Sequence, residues 1–395
     1  MRILFAAHRV PFPPNKGDKL RSFNEIVFLS KNHDIDLFCL AHNDTDLGYK
    51  QELEKYCRSV TIVREGTLIS NIRASMALLG RGSFTRAYFR SPRLQAAISA
   101  ALTSNNYDAV FVYCSSMASY FEKRCSVPRI IDFVDVDSEK WKQYVTTAPI
   151  HKKLLYTLES RRLKRYEQLI AKTYRFSFFV SEHEARDFRT NIYNTEAVLA
   201  LSNGVDTKRF FPGDGTYENN RIVFTGAMDY FANIATVQFF VDKILPRIAS
   251  RIPDVHFFIV GSNPDAAVYK LQESEFAVTV TGAVESILPY LHDAAVFAAP
   301  MQIARGVQNK ILESMAAGVP VVTNSRGFEG ISAAAGNDLI VADDVNIFAE
   351  ACIEIMQNPQ VRRQLSENGL VAINSAYSWE KNLTPLDVAL RQCIR

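Results

Sequence analysis

At 395 residues the chain is too long for one open α/β core and suits two domains of roughly 200 residues each. Apolar residues make up 48% and charged residues 22%, as in an ordinary globular enzyme, and a net charge of +3 argues against nucleic acid as the main partner. The six cysteines form no CxxC pair, which speaks against a zinc ribbon or a disulfide framework and fits a reducing compartment.

Met1 to Ala7 is apolar but short. Arg9 and the prolines at 11, 13 and 14 follow at once, so the segment reads as a buried strand and not as a secretory signal. Further strands are expected at Ile35–Leu40, Val60–Val63, Ala109–Tyr113, Arg129–Phe133 and Phe176–Val180. Their nearly continuous apolar character suits a parallel sheet buried on both faces. Helical patterns at Lys19–Ser30, Leu94–Thr103 and Leu154–Lys172 separate them. Turn signals then crowd together, Asn203-Gly204 and Pro212-Gly-Asp-Gly215, and mark a boundary near Asn203. The alternation resumes with strands at Ile222–Thr225, Val255–Val260, Val278–Thr281, Val296–Ala299, Val319–Thr323 and Leu339–Val341. Helices are expected at Ile234–Ile252, Gln308–Ala317, Ile347–Gln357 and Pro359–Asn374. Two strand–helix series imply two doubly wound α/β domains, with ligands beyond the carboxyl ends of the strands. No run of about 18 apolar residues predicts a membrane-spanning helix.

The most informative segment runs from Arg305 to Val322. Ile311, Leu312 and Met315 form the buried stripe of a short helix, Gly318 ends it, and Pro320 opens the next strand. Lys310 and Glu313 share one face. Gly306 lets the backbone approach a ligand, and Val307, Gln308 and Asn309 carry it into the helix N-terminus, where free N–H groups favour an anion. Arg305 and Lys310 add positive charge suited to a pyrophosphate, and Glu313 can accept hydrogen bonds from ribose hydroxyls. An exposed amphipathic helix with one ordinary Lys–Glu pair reads equally well from spacing alone.

Near the N-terminus, Pro14-Asn-Lys16-Gly17-Asp18 offers a tight turn at Gly17 and a helix cap at Asp18, with Lys16, Lys19 and Arg21 making the loop basic. A plain strand–helix turn is the simpler reading. Asp132, Asp135 and Asp137 follow a strand, and an extended chain would point Asp135 and Asp137 the same way. Asp135 is the candidate to orient or deprotonate a hydroxyl. A helix cap at Asp137 or Ser138, or a solvated loop, is the alternative. No further ligand cluster supports a metal site. His8 reads as structural.

Lys310-Ile-Leu-Glu-Ser-Met-Ala-Ala-Gly-Val-Pro-Val-Val322 resembles the donor-site helix of the retaining GT-B glycosyltransferases of family four. Ser181-Glu182, Asn203-Gly-Val-Asp206, Phe224-Thr-Gly-Ala-Met-Asp229 with Asn233, Val278-Thr-Val-Thr-Gly282 with Glu285, and Ser378-Trp379 resemble that family in the same order. Pro14-Asn-Lys-Gly-Asp18 and Asp132 to Trp141 resemble a subgroup associated with bacterial exopolysaccharide clusters. The resemblance implies a GT-B architecture: an acceptor-side Rossmann-like domain at 1–202, a nucleotide-sugar donor domain at 203–375 facing it across a cleft, and a helix at 376–395 crossing back. It implies Gly226 and Gly282 at the donor, sugar transfer from a nucleoside diphosphate sugar to a glycan or lipid-linked acceptor with retention, and no obligatory cofactor or metal. A cytoplasmic location, with peripheral contact to an anionic membrane inner face, follows as an expectation. The chain departs from the family where Arg305 replaces the first of two glutamates, and where Ala227, Met228 and Asp229 replace the usual Arg and Lys.

Other readings stay open. An epimerase or phosphorylase would use the same architecture. A nicotinamide oxidoreductase would want GxGxxG after the first strand, where only Gly17 stands. A two-lobed ligand-binding protein or an inactive transferase completes the set. The cations Lys152, Lys153, Arg161, Arg162, Lys164 and Arg165, interleaved with leucines, read as a solvated helix face or as a helix lying on an anionic membrane. Phe84–Phe89, with Arg81, Arg86 and Arg90, would extend such a surface.

Overall fold

The computed structural model describes residues 1–14, 17–80, 82–122, 126–304 and 306–394. Lys16, Arg81, Cys125 and Arg305 lie outside these residues.

The chain forms two compact units, Met1–Ser202 with Leu383–Arg395, and Asn203–Asn382. The first is built on a seven-stranded sheet in the order β3 (Ser59–Arg64), β2 (Asp34–Ala41), β1 (Arg2–Ala7), β4 (Ala109–Tyr113), β5 (Arg129–Val134), β6 (Phe176–Phe179) and β7 (Val198–Ala200). Every pairing is parallel. The second is built on a six-stranded sheet in the order β10 (Ala277–Gly282), β9 (His256–Val260), β8 (Glu218–Thr225), β11 (Ala294–Ala299), β12 (Val321–Thr323) and β13 (Ile340–Val341), again all parallel. Parallel strands need crossovers, and helices on both faces bury them. Hence the central strands carry no polar alternation: Ile3, Leu4, Phe5, Val110, Phe111 and Val112 are all fully buried, as are Phe224, Val296, Phe297 and Val321.

In each sheet the strand order reverses direction once, between β1 and β4 and between β8 and β11. Crossovers leave in opposite directions at such a point and open a crevice at the carboxyl ends of the two strands. The fold therefore marks two places, the ends of β1 and β4 and the ends of β8 and β11.

Several elements differ from the sequence expectation. The helix expected over Ile234–Ile252 is interrupted: α-helix Phe231–Phe239 passes through a π-helical turn, Phe240–Ile244, into Leu245–Ala249. Pro246 explains this, because it has no N–H to donate within a continuous α-helix. Strand β7 and the helices Thr67–Leu79, Phe84–Tyr88 and Glu182–Asn191 are not among the expected elements, and Asp137–Thr147 follows the alternative reading of a helix beginning at Asp137 or Ser138. The final helix, Trp379–Cys393, returns the chain to the first unit at Leu383. There Asp387 meets His33 Nε2 at 2.5 Å. Cys39, Cys57, Cys114, Cys352 and Cys393 are free thiols.

Candidate functional site

In the second unit the site is assembled at the end of β8. Gly226 follows the strand with φ +157°, and Gly261 stands at the end of β9 with φ +153°. The two backbones press together: a Cβ on Gly261 would lie 1.7 Å from the Gly226 carbonyl oxygen, and one on Gly226 would lie 2.6 Å from the Asn233 amide nitrogen. Only glycine fits either place. The loop after Gly226 is tied to the loop after Gly261, since Met228 N–H donates to Ser262 O at 2.8 Å and Asp265 N–H to Met228 O at 3.1 Å. Met228 is fully buried and Asp229 exposed, so this loop brings no cation to the strand end.

The cation comes from the helix Asn309–Ala316 instead. Lys310 Nζ donates to Asn233 Oδ1 at 2.5 Å and lies 4.7 Å from the centre of the Phe224 ring. Asn233 is itself fixed, donating to Ala227 O at 2.9 Å. Burial pulls the Lys310 ammonium down to about 8, against the opposing pull of Glu313. Burial likewise pushes the Glu313 carboxyl up, while Arg209 and Lys310 favour its charged form.

The approach to this helix is built as the segment suggested. Gly306 has φ +65°, a left-handed conformation that favours glycine. Gln308 precedes the helix without capping it by its side chain, and its amide donates to Gly306 O at 3.2 Å. Val307 is buried. Asn309 accepts a hydrogen bond from Asn203 Nδ2 at 2.8 Å. Ile311, Leu312 and Met315 anchor the helix from below, and Gly318, with φ +73°, ends it. Gly226, Val307, Gln308, Asn309, Lys310 and Glu313 are thus joined on one scaffold at the β8 end of the sheet. Gly282, with φ +71°, closes β10 two strands away in the same sheet.

The Asn203-Gly204 turn at the domain boundary is tightly packed. A Cβ on Gly204 would lie 2.4 Å from the Trp379 backbone nitrogen, Val205 N–H donates to Tyr377 O at 2.8 Å, and Asn382 Nδ2 donates to Asn203 O at 2.8 Å. Glycine is required there by close approach, a need that the local sequence does not display.

In the first unit the ends of β1, β4 and β5 gather His8, Arg9, Cys114 and Asp135. Cys114 and Val134 both have positive φ, +72° and +69°. For a β-branched residue that conformation is strained, and such strain concentrates at functional sites. His8 is buried, stacked on Tyr113 with ring centres 5.8 Å apart and edge-on to Phe89 at 5.1 Å.

Asp18 does not cap its helix. Gly17–Ser30 begins one residue earlier, and Asp18 sits in the first turn, 3.4 Å from both His8 Nε2 and Arg9 Nε. Burial opposes its ionisation, but His8 and Arg9 outweigh it and hold the carboxyl well below its ordinary range. The loop is also less basic than its composition suggests. Arg21 is fully buried, donating from Nε to Asp132 Oδ2 at 2.5 Å with Glu25 at 3.4 Å, and Lys19 pairs with Asp46 at 3.1 Å.

Asp132 therefore belongs to a buried ion network, where it also accepts from Val134 N–H at 2.9 Å. Nor do Asp135 and Asp137 continue one extended strand, because a helix starts at Asp137. Val136 precedes that helix, Asp137 accepts from Ser115 Oγ at 2.6 Å, and Ser138 is held by Glu167 through its N–H at 2.9 Å and its hydroxyl at 2.5 Å. Asp135 is half-buried at the bend between strand and helix.

Residues 219–358 match the model of the family described as glycosyl transferases group 1. An uncharacterised 44.6 kDa protein of the cps region of Klebsiella pneumoniae is 22% identical over 96% of this chain and 97% of its own length. A GDP-mannose-dependent monoacylated alpha-(1-6)-phosphatidylinositol monomannoside mannosyltransferase of Corynebacterium glutamicum is 25% identical over 51% of this chain and 58% of its own. Among solved structures, sucrose-phosphate synthase from Thermosynechococcus elongatus superposes with TM-score 0.73 at 15% identity, covering 99% of this chain and 98% of the other. Anabaena HepE in complex with UDP and glucose superposes with TM-score 0.70 at 15% identity, covering 99% and 100%. The two parallel sheets are those of the GT-B fold, and the segment 219–358 of the second unit is similar to the glycosyl transferases group 1.

Proposed function

We propose that the protein transfers a sugar, with retention, from a nucleoside diphosphate sugar to a glycan or lipid-linked saccharide in the synthesis of a bacterial surface polysaccharide. The observation that carries this reading is Lys310. Its ammonium is brought from the helix Asn309–Ala316 to the glycine-lined end of β8 and is partly desolvated there. Sugar transfer leaves negative charge on the departing diphosphate, and the protein's task is to meet that charge with fixed donors. Lys310 supplies a point charge. The N-terminus of its own helix supplies N–H groups and the positive end of a dipole. Gly306 and Gly226 leave the backbone bare enough for phosphate oxygens to approach. Glu313, one turn along, accepts from ribose hydroxyls. Arg305 adds a second cation in this reading, and Gly282 borders the nucleobase.

In the first unit Asp135 is the acceptor-side group, held at a strained strand end. Gly17 and Asp18, with Lys16, form the acceptor-side loop. The relatives support the class of reaction: one is named as a GDP-mannose-dependent mannosyltransferase, one was crystallised with UDP and glucose, and one is encoded in a cps region. The reading calls for no obligatory metal or organic cofactor.

The test is release of nucleoside diphosphate from a panel of nucleotide sugars, with and without saccharide acceptors. Acceptor-dependent release, abolished by Lys310→Met, is the expected result. Conversion of the nucleotide sugar without any acceptor would identify an epimerase instead.

A further inference from the structure

Two helices of the first unit carry apolar side chains into solvent. On Thr67–Leu79, Leu68, Ile69, Ile72 and Met76 are 72%, 57%, 53% and 67% exposed. Positions 68, 72 and 76 fall at i, i+4 and i+8, so they form one stripe. On Ile150–Thr173, Ile150 and Leu154 are 87% and 71% exposed. Single exposed apolar residues are normal, but a stripe of this length marks an interaction face.

The exposed charges that these two helices themselves carry have one sign. Thr67–Leu79 contains no acidic residue. Ile150–Thr173 contains two glutamates, and both point inward: Glu159 and Glu167 are buried. Its exposed charges are Lys152, Lys153, Arg161, Lys164, Arg165 and Lys172, all cations. The two helices are also tied together. Arg162 donates to Gly80 O at 2.6 Å and to Gly82 O at 2.7 Å, just beyond the first helix. Glu159 accepts from Ser83 Oγ, Phe84 N–H and Thr85 N–H at 2.6 Å, 2.8 Å and 2.9 Å. The adjoining wall is aromatic, with Trp141 edge-on to Phe84, Tyr144 and Tyr156.

We propose that this face docks the first unit onto an anionic lipid bilayer, with Leu68, Ile69, Ile72 and Met76 entering the headgroup–acyl boundary and the Ile150–Thr173 cations lying against lipid phosphates. An apolar stripe on one helix and exposed cations on another, which is tied to the segment that follows the first, with half-exposed Trp and Tyr beside the second, is the composition an interfacial surface needs. A second copy of the chain is disfavoured, because a two-fold contact would bring this cationic face against itself. The proposal needs no sugar donor and stands apart from the transferase reading.

The test is sedimentation of the full chain with vesicles. Vesicles of equal parts phosphatidylcholine and phosphatidylglycerol should pellet the protein, and phosphatidylcholine alone should pellet far less. Each of Lys152→Gln and Lys153→Gln should weaken binding roughly fivefold at low salt. Ile69→Asp with Ile72→Asp should abolish binding while leaving the melting temperature unchanged, since both side chains are already in water. Equal sedimentation with and without vesicles, or undiminished binding by the Ile69/Ile72 variant, would overturn the proposal. So would a dimer in gel filtration that this variant converts to monomer without changing vesicle binding.

Discussion

Lys310 illustrates how one residue's role depends on a distant partner. From sequence it is a lysine three residues before a glutamate. In the fold its partner is Asn233, 77 residues earlier, at the end of another strand. In the proposed site Lys310 also donates to a diphosphate oxygen; losing a charge-assisted hydrogen bond of that kind costs about 1.5–3 kcal/mol, so Lys310→Met should weaken nucleoside diphosphate binding about 10- to 100-fold. The pH dependence follows from the same burial. Lys310 titrates near 8 in the folded protein, below an ordinary lysine. The unfolded chain therefore binds more protons between about 8 and the ordinary lysine value of ~10.4, and this group's contribution to stability rises with pH across that window. Diphosphate affinity should move the other way, falling above about pH 8, with this fall absent in Lys310→Met. Titration calorimetry across that range measures both.

Glycines make a second set of predictions at this scale. Gly261→Ala would drive a Cβ into the Gly226 carbonyl, whereas Gly336→Ala meets nothing within 4 Å and is opposed only by its φ of +82°. Gly336→Ala should therefore cost about 1–2 kcal/mol, and Gly261→Ala should cost clearly more and distort the strand end that receives Lys310. Denaturant unfolding of the two variants separates the cases.

Among elements, the strand–helix junction at Val134–Ser138 is held by carboxyls that come from later helices. Glu184 accepts from Val136 N–H at 2.9 Å, and Glu167 holds Ser138. Burial, with Asp137 nearby, pushes the Glu167 carboxyl up to about 8. Its proton is kept by the folded state and lost by the unfolded chain above its ordinary value, so stability from this group is fully present below about pH 4.5 and is lost as pH rises to about 8. Glutamine keeps the geometry, accepting from Ser138 N–H and donating to its hydroxyl, and does not titrate. Glu167→Gln should match the parent near pH 4.5 and gain a higher melting temperature that grows until about pH 8. An equal gain at every pH would contradict this account.

The same junction shows what sequence could and could not convey. Strands buried on both faces announce themselves as apolar runs, and so the central strands were legible. Strand β7 has three residues, two of them half-buried, and carries no comparable signal. Helix Thr67–Leu79 hides behind the exposed apolar stripe that makes it unusual. The structure of the segment Gly306–Gly318 was legible because its glycines, lysine and helix stripe are contiguous. The spread of the aspartates was not, because Asp132 turns inward to Arg21, an ion pair 111 residues apart in sequence. Buried charge pairs lose much when one partner goes. Asp132→Ala should cost about 3–5 kcal/mol, as thermal unfolding would record.

At the scale of the molecule, each sheet reverses its order once, and the unusual chemistry collects at those reversals. One holds His8, Asp18 and the strained Cys114. The other holds Gly226, Asn233 and Lys310. The central claim is that the second is a nucleoside diphosphate site. Its most direct test is titration of the full chain with UDP, GDP, ADP and CDP, alongside NAD, followed by melting temperature and calorimetry. A ligand that binds only the folded state must raise the melting temperature by mass action. The account predicts that a nucleoside diphosphate does so, that NAD does not, and that Lys310→Met and Glu313→Ala each reduce the effect. A response to NAD alone, or a Lys310→Met variant that binds the diphosphate as tightly as the parent, would contradict it.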